Sequence, residues 1–231
     1  MRIKHLRGRW VRRTTERSKM TDPEELAVTH RHFIVHKPFG YMSQFVCELK
    51  KKKLLGLLHD FPAGTMSIGR LDEASEGLLL LTTDGKVSER IRAKSVEKEY
   101  YAQVDGLITD EAVRQLQQGV EIGLHGDKYQ TLPCRAFRLE TAPNLGARGR
   151  KIRDDRHGPT SWVSIIVTEG KFRQVRKMTA AVGFPTLRLV RVRIGAIHLG
   201  DLPAGQVQEV GGFFTDAPVP TVVPLPSEPA C

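Results

Sequence analysis

A run of four leucines, Leu78–Leu81, constrains the fold of this 231-residue chain more than any other feature of its sequence. The run is wholly apolar, with Gly77 before it and Asp84-Gly85 after it. A short apolar segment between turn residues is typical of a central strand that is buried on both faces. We therefore place these leucines in the middle of a sheet.

Short strands and short helices are predicted on both sides of this run. Thr109 can cap a helix that has acidic residues in its first turn and Gly119 just past its end. A second helix follows Gly170 and ends at Gly183. Strands are predicted at Arg31–His36, Tyr100–Val104, Trp162–Val167 and Leu187–Ile194. Because this mixed order lacks strict βαβ alternation, we expect an α+β domain around a largely antiparallel sheet.

The two ends of the chain differ in composition from the segment between them. Of the formal net charge of +10, residues 1–20 hold +7, which is eight Lys/Arg less one Glu. Residues 213–231 contain five prolines and no Lys or Arg, which favours an extended conformation. We therefore predict a basic N-terminal arm over 1–29, a folded domain over 30–212 and a proline-rich tail over 213–231. The arm either attracts nucleic-acid phosphates through counterion release or serves solubility or targeting.

The sequence argues against a membrane protein and against a disulfide framework. No stretch of about 18 apolar residues occurs, and the N-terminus lacks the apolar run of a secretory signal, so we expect a cytoplasmic protein. Cys47, Cys134 and Cys231 are odd in number and show no CxxC spacing. We expect all three to be free thiols.

A metal site is not expected either. His30, His32 and His36 fall on one face of the first predicted strand by alternation. No HExxH or Cys/His spacing completes a site with them, and histidines on strands are usually structural.

The stretch from Thr141 to Ser161 has no apolar periodicity and holds five basic residues among Gly, Pro and Asn. It is predicted to be an exposed loop. Long irregular loops in compact domains are often functional, although a solvated excursion is the simpler interpretation.

Three blocks contain the polar residues that could perform chemistry. Asp72 lies in a glycine-bounded loop that enters the leucine strand, where an aspartate on its own is more often a turn or cap residue. Tyr100 and Tyr101 are adjacent on a strand, so one can pack in the core while the other lines a cleft. The third block starts a helix whose basic face is formed by three residues, Arg173, Arg176 and Lys177. Together these residue types can hold an anionic nucleotide and act on it.

Three stretches resemble, in order and spacing, the signatures of the RsuA family of ribosomal RNA pseudouridine synthases: GRLDEASEGLLLLTTDG, KEYYAQV and EGKFRQVRKMTAAVGFPTLRLVRVRIG. The segments VHKPFGYMSQF and LPAGQVQEV also fit, so the resemblance covers about residues 31–210. Within the family, HKPFGYMSQF and VGFPTLRL are most similar to the RluE-like group, which acts on the large ribosomal subunit. The resemblance implies the pseudouridine synthase fold, with a central catalytic cleft.

The resemblance also implies an activity and a partner. The chain is expected to isomerise one uridine of ribosomal RNA, in 23S rRNA or an assembling large subunit, and to act as a monomer. Breaking the N1 glycosidic bond, rotating the uracil and rejoining it through C5 involves no net redox change. We therefore expect no cofactor.

The functional residues of the family can be assigned where its motifs match. The catalytic aspartate falls on Asp72, the motif tyrosine on Tyr100 and the ion-pairing basic residue on Arg176. Arg173 and Lys177 are expected to contribute to RNA binding. The target uridine must leave its base stack to be reached, and Arg70 is expected to help extrude it.

Departures from the family pattern affect the RNA contacts more than the chemistry. Glu73-Ala74 replace Arg-Asp of many relatives, Lys171-Phe172 replace Arg-Asn, and His36 replaces Asn.

A catalytically inactive RNA-binding or ribosome-assembly protein is the alternative, because it would show the same basic tail, loop and helix. The intact set of Asp72, Tyr100 and Arg176 favours the enzyme, since a binding module has no need of an acid that repels phosphate. A nucleoside hydrolase would also use a carboxylate, but no motif here resembles that class.

Overall fold

The predicted central strand is present in a computed structural model that describes residues 29–49, 51–152 and 155–214. Every residue of this strand, Glu76–Thr82, is buried. The strands are β1 (His32–Lys37), β2 (Met66–Ile68), β3 (Glu76–Thr82), β4 (Lys98–Asp105), β5 (Glu121–Leu124), β6 (Asp127–Gln130), β7 (Arg135–Leu139), β8 (Thr160–Val167), β9 (Thr186–Ile194), β10 (Ile197–His198) and β11 (Val207–Val210). The helices are α1 (Gly85–Arg92), α2 (Asp110–Gln118) and α3 (Gln174–Ala181), with single 3-10 turns at Leu55–Leu57 and Asp155–His157.

Nine of these strands form one sheet in the order β11-β1-β3-β9-β4-β8-β7, with β2 on β3 and β10 on β9. Strands β5 and β6 form a separate hairpin. Among the named strands, β3 and β9 run parallel and the other pairings are antiparallel. The expected α+β fold with a largely antiparallel sheet is confirmed.

Helices α2 and α3 pack on the sheet through one shared core. Leu116 of α2 and Met178 of α3 are fully buried against residues of β4 and β8 such as Ala102 and Ile165. The Thr109 hydroxyl accepts a hydrogen bond from the Ala112 amide and caps α2, as predicted. Two further clusters, on the leucine strand, complete the core.

Several elements have weak signals in the sequence and were not predicted. Helix α1 begins where only a turn was predicted, because the Asp84 carboxylate accepts hydrogen bonds from the Lys86 and Val87 amides and caps it. The hairpin of β5 and β6 and the edge strand β7 were also not predicted. These strands are only four or five residues long, so they show little of the periodicity that identifies strands.

The histidines of β1 have structural contacts. His32 pairs through Nδ1 with the Thr82 hydroxyl at 2.9 Å, and His36 Nδ1 lies 2.7 Å from the Leu202 carbonyl oxygen.

Cys47 and Cys134 are free thiols, whereas Cys231 lies outside the described residues. The N-terminal arm to residue 28 and the tail from residue 215 also lie outside them. In the described segments no helix is long and apolar enough to cross a membrane.

Candidate active site

Asp72 lies in a short loop that joins β2 to β3, just before the start of the central strand. The loop is held by the buried Ser43 hydroxyl, which accepts a hydrogen bond from the Leu71 amide and donates one to the Leu71 carbonyl, both at 2.9 Å. The Gly40 amide donates to the Glu73 carbonyl at 2.8 Å from the other side. These contacts fix the backbone on both sides of Asp72 while its side chain stays 27% exposed.

Arg176 was predicted to form the ion pair with Asp72, and the structure corrects this assignment. The short contact to Asp72 comes from Arg173, whose Nη1 lies 3.6 Å from Oδ2 of the carboxylate. Arg173 was also placed on the helix, yet it precedes α3 with a left-handed backbone (φ 52°). Arg173 therefore does not belong to the basic face of the helix. Its side chain contacts Asp72 instead.

Arg176 instead supports the backbone of the loop. Its Nη2 donates to the Ala74 carbonyl at 2.8 Å and to the Ser75 hydroxyl at 3.3 Å. Burial, followed by repulsion from Arg173, lowers the pKa of the Arg176 guanidinium to about 10, while attraction to Asp72 opposes the shift. The side chain remains a cation near neutral pH, and it acts on Asp72 at longer range.

Strand pairing brings Tyr100 to the level of the Asp72 loop. Gly77, at the start of β3, is opposite Arg191 of β9, and Arg191 is opposite Tyr100 of β4. Adjacent strands lie about 4.8 Å apart, so this lateral row places Tyr100 about 10 Å from Gly77. The Tyr100 ring is half-buried and packs against the core shared by α2 and α3.

Arg191 itself was not identified from the sequence. Its guanidinium is buried, donates from Nε to the Leu78 carbonyl at 2.8 Å, and has Nη1 3.5 Å from the Arg70 carbonyl oxygen. It therefore ties the start of the Asp72 loop to the central strand. The side chain of Arg70 is exposed, and its Nη2 lies 3.4 Å from the Gln44 amide oxygen.

A buried acid next to the loop organises part of the predicted basic loop. Glu76 forms ion pairs with Arg188 at 2.9 Å and with Arg148 at 3.2 Å. Arg148 belongs to the basic loop, and its guanidinium also lies 4.3 Å from the centroid of the Phe39 ring. The prediction of a wholly exposed loop is therefore wrong at Arg148, whose side chain is 10% exposed. Compensation of the buried Glu76 charge explains its position.

Lys37 is a second buried charge near the site. Its Nζ donates to the carbonyls of Pro38 at 3.0 Å and Tyr41 at 2.7 Å. Burial lowers the pKa of Lys37 to about 8, although Glu76, Asp72 and Glu73 act in the opposite direction. Lys37 therefore stabilises the turn that contains Gly40, whose amide donates a hydrogen bond to the Asp72 loop.

Lys177 is directed at the β5–β6 hairpin, where its Nζ donates to the Gly123 carbonyl at 2.7 Å. The site thus consists of four residues. Arg173 contacts the Asp72 carboxylate, Arg176 supports the loop that bears it, and Tyr100 lies on β4, two strands away from β3. In the residues that the structure describes, no group of three or more side chains suited to a metal ion is found.

The fold and the sequence place this chain among RNA-modifying enzymes. The family model described as RNA pseudouridylate synthase matches residues 31–181, and the chain belongs to that family. It is an isomerase of the pseudouridine synthase class, as the resemblance implied.

Several named proteins of this family are similar to the chain over most of its length. The chain is 43% identical over 176 residues to ribosomal large subunit pseudouridine synthase E of Xanthomonas campestris, covering 75% of this chain and 91% of the relative. It is 39% identical over 180 residues to the protein of the same name in Vibrio parahaemolyticus, covering 77% and 72%. A crystal structure of a pseudouridylate synthase superposes with a TM-score of 0.60 at 27% identity, covering 78% of this chain and 70% of the other.

Proposed function

We propose that this protein converts one uridine of large-subunit ribosomal RNA to pseudouridine, with Asp72 as its catalytic carboxylate. The observation that carries the assignment of Asp72 is its fixed loop, which leaves the carboxylate partly exposed beside the Arg173 guanidinium at 3.6 Å. The names of the relatives support rRNA of the large ribosomal subunit as the substrate.

The reaction defines what the site must do. The N1–C1′ bond of the uridine breaks, the uracil rotates and C5 bonds to C1′; the C5 proton leaves and N1 gains a proton, so the product is an isomer. Asp72 assists either as a nucleophile or as a base that removes a sugar proton. Both roles use an ionised carboxylate, and the Arg173 guanidinium lies 3.6 Å from it.

The other site residues have complementary roles in this proposal. Tyr100 offers an aromatic face to the uracil and a hydroxyl near C5. Arg176 holds the loop, and Arg70, exposed at the loop entrance, helps to extrude the uridine or fills its place in the stack. Arg173 and Lys177 contribute positive charge for the RNA backbone.

We extend the proposal to the organisation of the chain. Residues 30–212 form the catalytic unit, residues 1–29 a basic RNA-attracting arm and residues 213–231 a proline-rich tail. The protein acts as a monomer, on 23S rRNA or an assembling particle in the cytoplasm, and needs no cofactor because the reaction is redox-neutral.

The decisive experiment compares Asp72→Asn with the wild type. Pseudouridine is mapped in large-subunit rRNA from cells with and without the protein, and turnover is followed as tritium release from 5-tritiated uridine rRNA. We expect Asp72→Asn to abolish turnover while the fold and the RNA affinity persist, because the substitution removes charge but keeps shape. Glu73→Gln is the matched control, since Glu73 pairs with Lys52 at the surface, and it should retain turnover.

Two outcomes would contradict the proposal. Retained turnover in Asp72→Asn would mean that the catalytic carboxylate is another residue. A wild-type protein that binds rRNA yet changes no uridine would instead support the inactive RNA-binding protein.

A further inference from the structure

Phe172 is an aromatic side chain that is left largely uncovered beside the candidate active site. It is 58% exposed and lies in the short turn that leads into α3. His125, at the tip of the β5–β6 hairpin, lies against it with ring centroids 6.2 Å apart and ring planes 29° apart. Single exposed phenylalanines are common, so the surroundings of the ring decide its significance.

The segment that bears Phe172 is held firmly against the hairpin. The Glu169 carboxylate accepts hydrogen bonds from the Tyr129 hydroxyl of β6 and from the Gln174 side chain of α3. Lys177 of α3 donates to the Gly123 carbonyl of β5 at 2.7 Å. The two exposed rings are therefore presented on a braced surface, which lowers the entropic cost of binding a planar ligand.

Two lysines lie on and beside this surface. The Lys177 ammonium lies 5.2 Å from the Phe172 ring centroid, and the Lys171 ammonium lies 4.5 Å from the ring centroid of Tyr129. Arg173 follows Phe172 directly, so their Cα atoms are about 3.8 Å apart. The same Arg173 contacts Asp72. Phe172 is thus the immediate neighbour in sequence of Arg173, the residue that contacts the proposed catalytic carboxylate.

We propose that Phe172, together with His125 and Lys177, forms a platform on which an unpaired base of the RNA stacks next to the target uridine. An aromatic face flanked by cations matches a nucleotide, because the ring takes the base and the ammonium groups take the phosphates. Stacking tolerates any base, so the platform holds the strand and leaves the choice of uridine to other contacts. This inference rests on the proposed function, since it takes RNA as the substrate.

Short oligonucleotides test the platform without requiring catalysis. The probes are an oligoadenylate of about ten nucleotides and the same backbone with abasic residues, titrated at low salt. Phe172→Ala should weaken oligoadenylate binding about 5- to 30-fold and leave the abasic probe unchanged, because only the stacked base is lost. Phe172→Trp should bind as the wild type does.

Phe137→Ala is the matched control. Phe137 is 47% exposed on β7, the edge strand four positions from β3 in the sheet, and arginines flank it in sequence at 135 and 138. Its loss should change binding of neither probe. With large-subunit rRNA as substrate, Phe172→Ala should raise KM and leave kcat nearly unchanged.

The results separate the platform from the proposed function. Absent binding by the wild type, equal oligoadenylate affinity in Phe172→Ala, or an equal loss with the abasic probe would overturn the platform. An equal loss in Phe137→Ala would also overturn it, because the effect would not be local to Phe172. Failure of the wild type to modify rRNA would overturn the proposed function and leave the oligonucleotide result standing.

Discussion

At the scale of single residues, Arg173 and Arg176 have different relations to the same aspartate. Arg173 is 40% exposed and contacts the Asp72 carboxylate, so it can move when RNA binds. Arg176 is largely buried and donates to the Ala74 carbonyl and the Ser75 hydroxyl. One arginine therefore contacts the carboxylate directly, and the other keeps its loop in place.

This difference predicts separable effects of substitution. Arg176→Ala leaves buried loop acceptors without a donor, so we expect a loss of about 2 to 4 kcal/mol in the free energy of unfolding together with low turnover. Arg176→Lys should restore only part of both. Arg173→Ala should change stability by about 0.5 kcal/mol or less, since the pair is exposed, yet lower turnover about 10-fold. Denaturant unfolding and tritium release measure the two quantities; equal stability losses would show that the structural roles are not distinct.

Lys37 predicts a pH dependence of stability. Its pKa is lowered to about 8 in the folded protein from the ordinary value of 10.5, so between these values the unfolded chain binds the extra proton. Stability must therefore rise with pH in that window. Relative to Lys37→Met, the wild type should gain about 1.5 kcal/mol between pH 8 and 9.5. Paired denaturant titrations at the two pH values test this, and a constant difference would mean that Lys37 titrates normally.

At the scale of elements, the parallel contact of β3 with β9 depends on Gly77. Its backbone has φ 104°, and a Cβ built there would lie 2.3 Å from the Arg191 carbonyl oxygen. Glycine lets β9 approach the start of β3, which aligns Gly77, Arg191 and Tyr100 across the sheet. The position of the tyrosine relative to the Asp72 loop follows from this close approach.

Gly77→Ala should therefore cost about 3 kcal/mol or more in unfolding free energy, from overpacking and a left-handed backbone together. Gly126→Ala is the control, because Gly126 has a similar φ of 98° with open space where a Cβ would lie. It should cost only about 1 to 2 kcal/mol. Equal losses in the two variants, measured by chemical denaturation, would show that β3 and β9 do not approach so closely.

At the scale of the whole molecule, residues 1–20 of the arm hold +7 of the formal net charge of +10 and lie outside the described residues. Removing residues 1–20 removes +7, so RNA binding at low salt should weaken and its salt dependence should become shallower. Each lost phosphate contact reduces the slope by about 0.7 to 0.9. The rate at saturating RNA and the choice of uridine should hardly change, since phosphate contacts do not read sequence.

A salt titration of full-length and truncated protein, with a map of modified uridines, tests the arm. Deleting residues 216–231, which contain no Lys or Arg, is the control and should leave the slope unchanged. An unchanged slope after removal of 1–20 would rule out the arm as a phosphate anchor, and a different modified uridine would show that it helps to select the site.

Much of the fold could be predicted because its main elements have strong local signals. The leucine run required a buried strand, and Thr109 with Gly119 marked both ends of α2. The β5–β6 hairpin, which supports Phe172, could not be found because its strands are only four residues long, too short for a clear alternation of apolar and polar residues. The sequence likewise identified Asp72, Tyr100 and the two arginines as candidates, though their roles remain proposals.

By itself, the sequence determined the class of fold, the buried central strand and the loop that bears Asp72, because periodicity, caps and turn residues act within a few positions of the chain. Only the tertiary structure decided which arginine meets Asp72 and which residues neutralise Glu76. Those contacts join residues that are about 100 positions apart, such as Arg176 with Ala74 and Arg188 with Glu76. They depend on how β3 and β9 align and on the left-handed turn at Arg173, and no local pattern encodes either.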